Sequence, residues 1–495
     1  MPRADPSRRG SMSNHQSARS RRWWTMSVLS LAQLMVLLDA TVINIALPRA
    51  QADLHFSAGN RQWVITAYAL AFGSLLMLGG RLSDLWGRRN ALLVGLAGFA
   101  LASAIGGFAH SFTMLIVARA VQGVFGALLA PAALATLSVT FSEPVERAKA
   151  FAMYGVIGGS GAAVGLLLGG ALTQWASWRW CLFINLFFAA IALVGVAVFV
   201  EGGRSEHRAR LDVLGTVLGS LGLFFVVYGL SHAVTSSWSN RATWGSLVVG
   251  VVLLALFVLW QRHSKDPLLP LRILTNRTRA GSLVALLLTS MGIFAVFLLL
   301  AYYMEDTLGF SPLRAGMAFM PIVIAISLSA SFASARLLSK VGPRPLVPTG
   351  MVLSAMGMVL FTRLTPYSDY WGHVLPGLIV LGLGLGLIFA PAIASATAAI
   401  EHRDVGAASA MVNTTQQIGG SVGTALLNTI AVTVAARALV HTQGAVASAH
   451  RVATLHGYSV AFWWSAGFFA VGAVLTLFTL ESGNPVYETT LAPAT

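Results

Sequence analysis

Long apolar runs separated by short polar or basic breaks set the plan of this chain. Fourteen of them fall at about 25–47, 62–80, 91–109, 113–139, 149–171, 181–200, 213–232, 243–260, 280–303, 315–335, 345–362, 373–398, 405–436 and 459–480. Most last about 18 to 25 residues, enough for a helix rising about 1.5 Å per residue to cross a hydrocarbon core of about 30 Å. Barrel strands would be about ten residues long and alternating, so a barrel is excluded. The pattern predicts an all-α integral membrane protein with 14 transmembrane helices.

The breaks between runs carry a repeat. Gly80-Arg81-Leu82-Ser83-Asp84-Leu85-Trp86-Gly87-Arg88-Arg89 returns in weaker form as Ala335-Arg336-Leu337-Leu338-Ser339-Lys340-Val341-Gly342-Pro343-Arg344, with Ser339 where Asp84 stood. Gly126, Ala130, Pro131 and Ala132 likewise match Gly386, Ala390, Pro391 and Ala392. The chain is thus a duplication, and two spans that the repeat does not require bridge its halves and bring twelve helices to fourteen. The expected division is a disordered basic head at 1–24, an N-terminal bundle at 25–200 and two linking helices with their loops at 201–279. A C-terminal bundle at 280–480 and a tail at 481–495 complete it.

Composition agrees with the pattern: 56% of residues are apolar, 10% are charged and the mean hydropathy is +0.75. The net charge of +15 would suggest nucleic acid for a soluble protein. Here most arginines and lysines fall in alternate breaks, on the side of the N-terminus, which makes them orientation signals with both termini cytoplasmic. Ser20-Arg21-Arg22 has the look of a twin-arginine export signal, but thirteen further runs follow the first, so it reads as an inside anchor. Trp178-Arg179-Trp180 reads as an anchor at the membrane interface. The single cysteine, Cys181, leaves no internal disulfide or cysteine-based metal cluster, and no metal site is expected. None of the three lysines follows a glycine, so no phosphate-binding loop is present. No constellation for an enzyme stands out.

Candidate chemistry lies inside the runs. Asp39 is the acidic residue well inside a span and Arg119 is the basic one, so their proximity is the simplest expectation. Arg119 has no counterpart in the second half, where Ile379 takes its place. On the first span Gln33 and Asn44 share a stripe that Asp39 points away from, and these two are expected to face a cavity. Tyr68, Gln122, Asn413, Gln416 and Gln417 are further candidates for a polar cavity lining, although Asn413, Gln416 and Gln417 would serve equally as interhelical hydrogen-bonding groups. Gly161, Gly165 and Gly169 form an i, i+4 stripe that lets another helix backbone approach closely, a smooth seam for packing and for rocking.

Gly80 to Arg89, Arg119 to Gly123, the glycine run of the fifth span and Leu38-Asp39-x-Thr41-x-x-Asn44-x-Ala46-Leu47-Pro48 together resemble the motifs of the major facilitator superfamily. Fourteen spans are closest to its drug:proton antiporter branch of multidrug efflux type. The resemblance implies two pseudo-symmetric six-helix bundles, a central cavity, alternating access by rocking, and export of drugs or other amphipathic small molecules in exchange for protons. It makes Gly161, Gly165 and Gly169 antiporter-motif packing residues. It makes Gly80, Asp84, Gly87, Arg88 and Arg89 a cytoplasmic latch, with Asp84 engaging a second-half helix near Gly406. Asp39 and Arg119 become the proton-coupling pair. Two departures stand out: Leu166 follows Gly165 where the motif carries proline, and Met317 to Arg336 contains no acidic residue where other members of the branch have one.

The expected protein is a secondary active transporter of the cell inner (plasma) membrane, driven by the proton gradient and needing no cofactor. Its partners are a small-molecule substrate, protons and membrane lipids, without nucleic acid. A dedicated exporter of one natural product, a proton symporter and a non-transporting membrane sensor or scaffold are the alternatives.

Overall fold

A computed structural model describes residues 6–56, 61–141, 143–202, 212–235, 240–264, 267, 269, 271–333, 337–398, 400, 405–441 and 446–482. Its first part runs α1 (Pro6–Leu54), α2 (Arg61–Trp86), α3 (Arg88–Gly107), α4 (Phe112–Thr140), α5 (Pro144–Trp175) and α6 (Trp180–Phe199). Next come α7 (Val213–Thr235), α8 (Arg241–Gln261) and the short α9 (Arg272–Thr275). The rest is α10 (Arg277–Tyr302), α11 (Pro312–Ala318), α12 (Met320–Phe332), α13 (Leu338–Val341), α14 (Pro343–Phe361), α15 (Leu375–Ala396), α16 (Val405–His441) and α17 (Val446–Thr479).

Helices dominate because backbone polar groups in lipid must be satisfied within the segment that carries them. Ten of the described helical stretches are long and apolar enough to cross a membrane. The four other expected spans are occupied by α5, α7, α10 and α16, of which α7 and α16 contain the shorter apolar stretches Val213–Gly229 and Leu426–Leu439. Helical backbone also extends from Pro6 through the head expected to be disordered.

The duplication is visible in the packing. In the first half α1 packs on α4, α5 and α6, α2 on α4, and α3 on α4 and α6. In the second half α10 packs on α15, α16 and α17, α12 on α15, and α14 on α15 and α17, repeating the same set. The halves meet through exchanged helices: α5 lies against α11, α12 and α15 of the second half, and α16 against α2 and α4 of the first. Hairpin α7–α8 sits outside this arrangement, with α7 against α2 and α16.

Two glycines mark the repeated break. Gly87 (φ 86°) is the one residue between α2 and α3, and Gly342 (φ 74°) stands in the same way between α13 and α14. Both occupy the left-handed half of backbone space, where a side chain is strained, so the chain reverses in a single residue at each copy.

Of the two tryptophans in the expected interfacial anchor, Trp178 packs into the protein. It is 3% exposed, and its indole Nε1 donates to Asp53 at 3.0 Å at the end of α1, while Trp180 remains exposed.

Candidate functional site

Asp39 on α1 and Arg119 on α4 meet inside the first bundle, with Arg119 Nη1 2.5 Å from Asp39 Oδ2 and both side chains almost fully buried. Each charge alone would cost roughly 2.5–3.5 kcal/mol at mid-membrane on insertion scales, and pairing offsets part of that for both. A shell of neutral donors completes the site. Gln122 Nε2 donates to Asp39 Oδ1 at 3.0 Å while its Oε1 accepts from Arg119 Nη1 at 2.9 Å. The spacing of Arg119 and Gln122, one helical turn apart on α4, lets one side chain brace the other.

Tyr68 on α2 lies beneath the guanidinium, whose central carbon is 4.5 Å from the ring centroid. A cation over an aromatic face in a dry site is attracted by the ring quadrupole. Local sequence on α4 sets this approach: a Cβ on Gly123 would lie 2.5 Å from the Tyr68 carbonyl oxygen, so only glycine lets α2 come this close. Arg119 Nε also reaches the Val64 carbonyl at 3.4 Å.

Two residues of the cluster were not singled out in the sequence. Asn185 on α6 donates its Nδ2 to Asp39 Oδ1 at 2.8 Å and to Ser103 Oγ on α3 at 3.0 Å. Ser103 Oγ in turn donates to the Leu182 carbonyl at 2.8 Å. The available signal was Asn185 itself, the one amide side chain in the apolar run Trp180–Phe199. Two helices, α4 and α6, thus hold the carboxylate directly, and α2 and α3 brace them through Tyr68 and Ser103.

The other expected site residues are placed as follows. Gln122 and Tyr68 lie in the charge cluster, where the ion pair uses their polar or aromatic faces. Gln33 is buried and its Oε1 has no hydrogen-bond partner among the described residues, whereas the Asn44 side chain lies outside them. Asn413 is buried and turns its Nδ2 back to the Ser409 carbonyl of its own helix at 3.0 Å; Gln416 and Gln417 are half-buried on α16.

Gly161, Gly165 and Gly169 all face α1: a Cβ on them would come within 3.0 Å of Leu37, 1.8 Å of the Thr41 hydroxyl and 3.1 Å of Val42 respectively. Their seam therefore lies within the first bundle, next to Asp39, and not between the halves. The Leu166 side chain is outside the described residues. Gly80 is buried, Asp84 stands 3.9 Å from Arg88, and Arg89 Nη2 donates to the Ala197 carbonyl at 3.0 Å near the end of α6. The contact expected between Asp84 and the region of Gly406 falls on side chains outside the described set.

A duplicated helical membrane protein with an ion pair buried inside its first bundle has the architecture of a secondary transporter. Residues 29–424 match the family model of the Major Facilitator Superfamily, and the chain belongs to that family of membrane transporters. It is 45% identical over 472 residues to the puromycin resistance protein pur8 of Streptomyces alboniger, covering 95% of this chain and 93% of the relative. It is 35% identical to the cephamycin export protein CmcT of Amycolatopsis lactamdurans, covering 85% and 88% of the two chains. A tetracenomycin C resistance and export protein of Streptomyces glaucescens is 33% identical, with 83% and 76% covered. The crystal structure of the human organic anion transporter MFSD10 superposes with a TM-score of 0.62 over 92% of this chain and 99% of that one, at 18% identity, a likeness of fold.

Proposed function

We propose that this protein exports antibiotic-like amphipathic small molecules from the cytoplasm in exchange for protons, by alternating access between its two bundles. In this reading α5, α7, α10 and α16 cross the plasma membrane with the ten other spans, giving fourteen, and both termini are cytoplasmic. The observation that carries it is the Asp39 carboxylate, sealed from water and held by Arg119, Gln122 and Asn185. A buried carboxylate this well coordinated holds a charge that a single proton cancels. Protonation weakens the hold of α4 and α6 on α1, and a substrate that favours one packing of these helices favours one protonation state of Asp39. The proton is taken up from the outer side. No cofactor enters; the driving force is the proton gradient.

The relatives named for puromycin, cephamycin and tetracenomycin C each carry the name of one natural product, which favours a narrow substrate range over a broad one. A panel that includes puromycin, lincomycin and unrelated cationic dyes separates the two. In inverted membrane vesicles acidified inside, the protein is expected to drive drug uptake that collapses with the gradient, and Asp39→Asn is expected to reduce it to background with folded protein retained. Uptake that survives gradient collapse, or that Asp39→Asn leaves intact, would falsify proton exchange at this residue.

A further inference from the structure

Two amides contact Asp39, and they are held differently. Gln122 is pinned at both ends, its Nε2 on Asp39 and its Oε1 under Arg119. Asn185 is fixed at one end alone: Nδ2 serves Asp39 and Ser103, while its buried Oδ1 has no hydrogen-bond partner among the described residues. An unsatisfied buried carbonyl oxygen is costly, and one beside a carboxylate has an obvious use. When Asp39 is ionised it accepts, and Asn185 must donate. When Asp39 carries a proton on Oδ1, that oxygen becomes a donor and the amide facing it must accept. A half-turn about the terminal torsion of Asn185 exchanges Nδ2 for Oδ1 at nearly the same place.

We propose that Asn185 is a positioning residue that reports the protonation of Asp39 by turning its amide, and so passes that state from α1 to α3 and α6. The inference rests on proton exchange at Asp39. In the ionised state Nδ2 links Asp39 to Ser103, and Ser103 donates to Leu182 O. In the protonated state Oδ1 accepts from Asp39 and can take the Ser103 hydroxyl as well, releasing Leu182. The proton stays on Asp39 throughout; Asn185 exchanges only its hydrogen-bonding sense. Gln122 is barred from the same turn, because rotation would set its NH2 against the guanidinium. The other groups facing Asp39 are Arg119 from α4, Tyr68 from α2 and Cys181, one turn before Asn185 on α6; the described side chains of α5 that face α1 here are apolar or glycine.

The test is infrared difference spectroscopy of the whole protein in lipid nanodiscs, titrated from alkaline to acid pH without substrate. A carboxyl band that Asp39→Asn removes identifies the proton. The wild type is expected to show a side-chain amide carbonyl band that shifts with the same midpoint and is absent from Asn185→Leu. Losing one hydrogen bond to the ionised carboxylate should raise that midpoint by about one pH unit in Asn185→Leu, a roughly ten-fold change. Asn185→Asp keeps the shape, and there the second carboxyl should raise the Asp39 midpoint further. An Asp39 band that titrates with no matching amide shift and an unmoved midpoint in both variants overturns this inference and leaves proton exchange standing. Absence of any carboxyl band that depends on Asp39 overturns both.

Discussion

Two aspartate–arginine pairs in the first bundle show how surroundings decide what an ion pair does. Asp39 and Arg119 are sealed in the bundle, whereas Asp53 and Arg179, at the end of α1 and the start of α6, are 46% and 29% exposed. Arg179 also spans to the Ala109 carbonyl at 3.1 Å, so the outer pair ties three chain ends together. The Arg179 guanidinium, and after it the Trp178 indole, hold the Asp53 carboxyl below its ordinary value of 3.8. A lowered folded value means that the contribution to stability is present above the unfolded pKa and is lost as pH falls through the folded one. Asp53→Asn should therefore lower the melting temperature slightly at neutral pH, by the equivalent of no more than about 1 kcal/mol for a solvated pair. The gap between variant and wild type should close as the pH falls below about 4. A gap that persists unchanged at strongly acid pH would mean that the shape of the side chain, and not its charge, holds the corner.

At the scale of the helix the glycine stripes make the sharper prediction. Gly161 and Gly165 on α5 press on α1, and their repeat partners Gly419 and Gly423 on α16 press on Leu287 and Met291 of α10. A Cβ at Gly423 would meet the Met291 carbonyl at 2.1 Å, and one at Gly165 the Thr41 hydroxyl at 1.8 Å. Backbone cannot yield as a side chain turning about χ1 can, so Gly423→Ala should destabilise by roughly 1–3 kcal/mol and Gly165→Ala by less. Thermal unfolding in detergent, read for each variant and for Gly165→Ala with Thr41→Ala, checks this; the double variant should recover most of the loss at the first site. The same stripes show what was legible beforehand. Their spacing announced a close approach, but small residues do not name the helix that approaches them. The partner proved to be α1, within the bundle. Asp39 and Arg119 stood out because charge in a span is rare, whereas Asn185 did not, since a lone neutral amide has many ways to be satisfied.

Across the whole molecule Arg147 ties the halves together, as apolar packing does. Arg147, near the start of α5, donates from Nη1 to the Ser138 carbonyl at 3.0 Å and from Nη2 to the Thr397 carbonyl at 2.8 Å, reaching the Thr397 hydroxyl at 3.2 Å. Those carbonyls lie at the ends of α4 and α15, the two copies of one helix. Helix C-termini carry partial negative charge and unpaired carbonyls, and a guanidinium satisfies both needs at once. Arginines recur in this role on the same side: Arg89 and Arg21 serve the end of α6, and Arg279 reaches the Ala398 carbonyl after α15. Those contacts stay within a half. Arg147 crosses between halves, so opening the side assigned here to the cytoplasm must break its bonds to Thr397. Each hydrogen bond from a charged group contributes about 1.5–3 kcal/mol, so losing even the weaker part should raise the open population about ten-fold. Spin labels at Thr140→Cys and Ile400→Cys would report the separation of the α4 and α15 ends, and the native Cys181 is buried away from the label. In Arg147→Gln the long-distance population is expected to grow at the expense of the short one, with Arg21→Gln, whose contacts to the end of α6 and to Glu201 stay inside the first half, leaving the distribution as it was. Identical distributions for Arg147→Gln and the parent would place the hold between the halves on the apolar contact of Val156 with Ala330 and Ala390 instead.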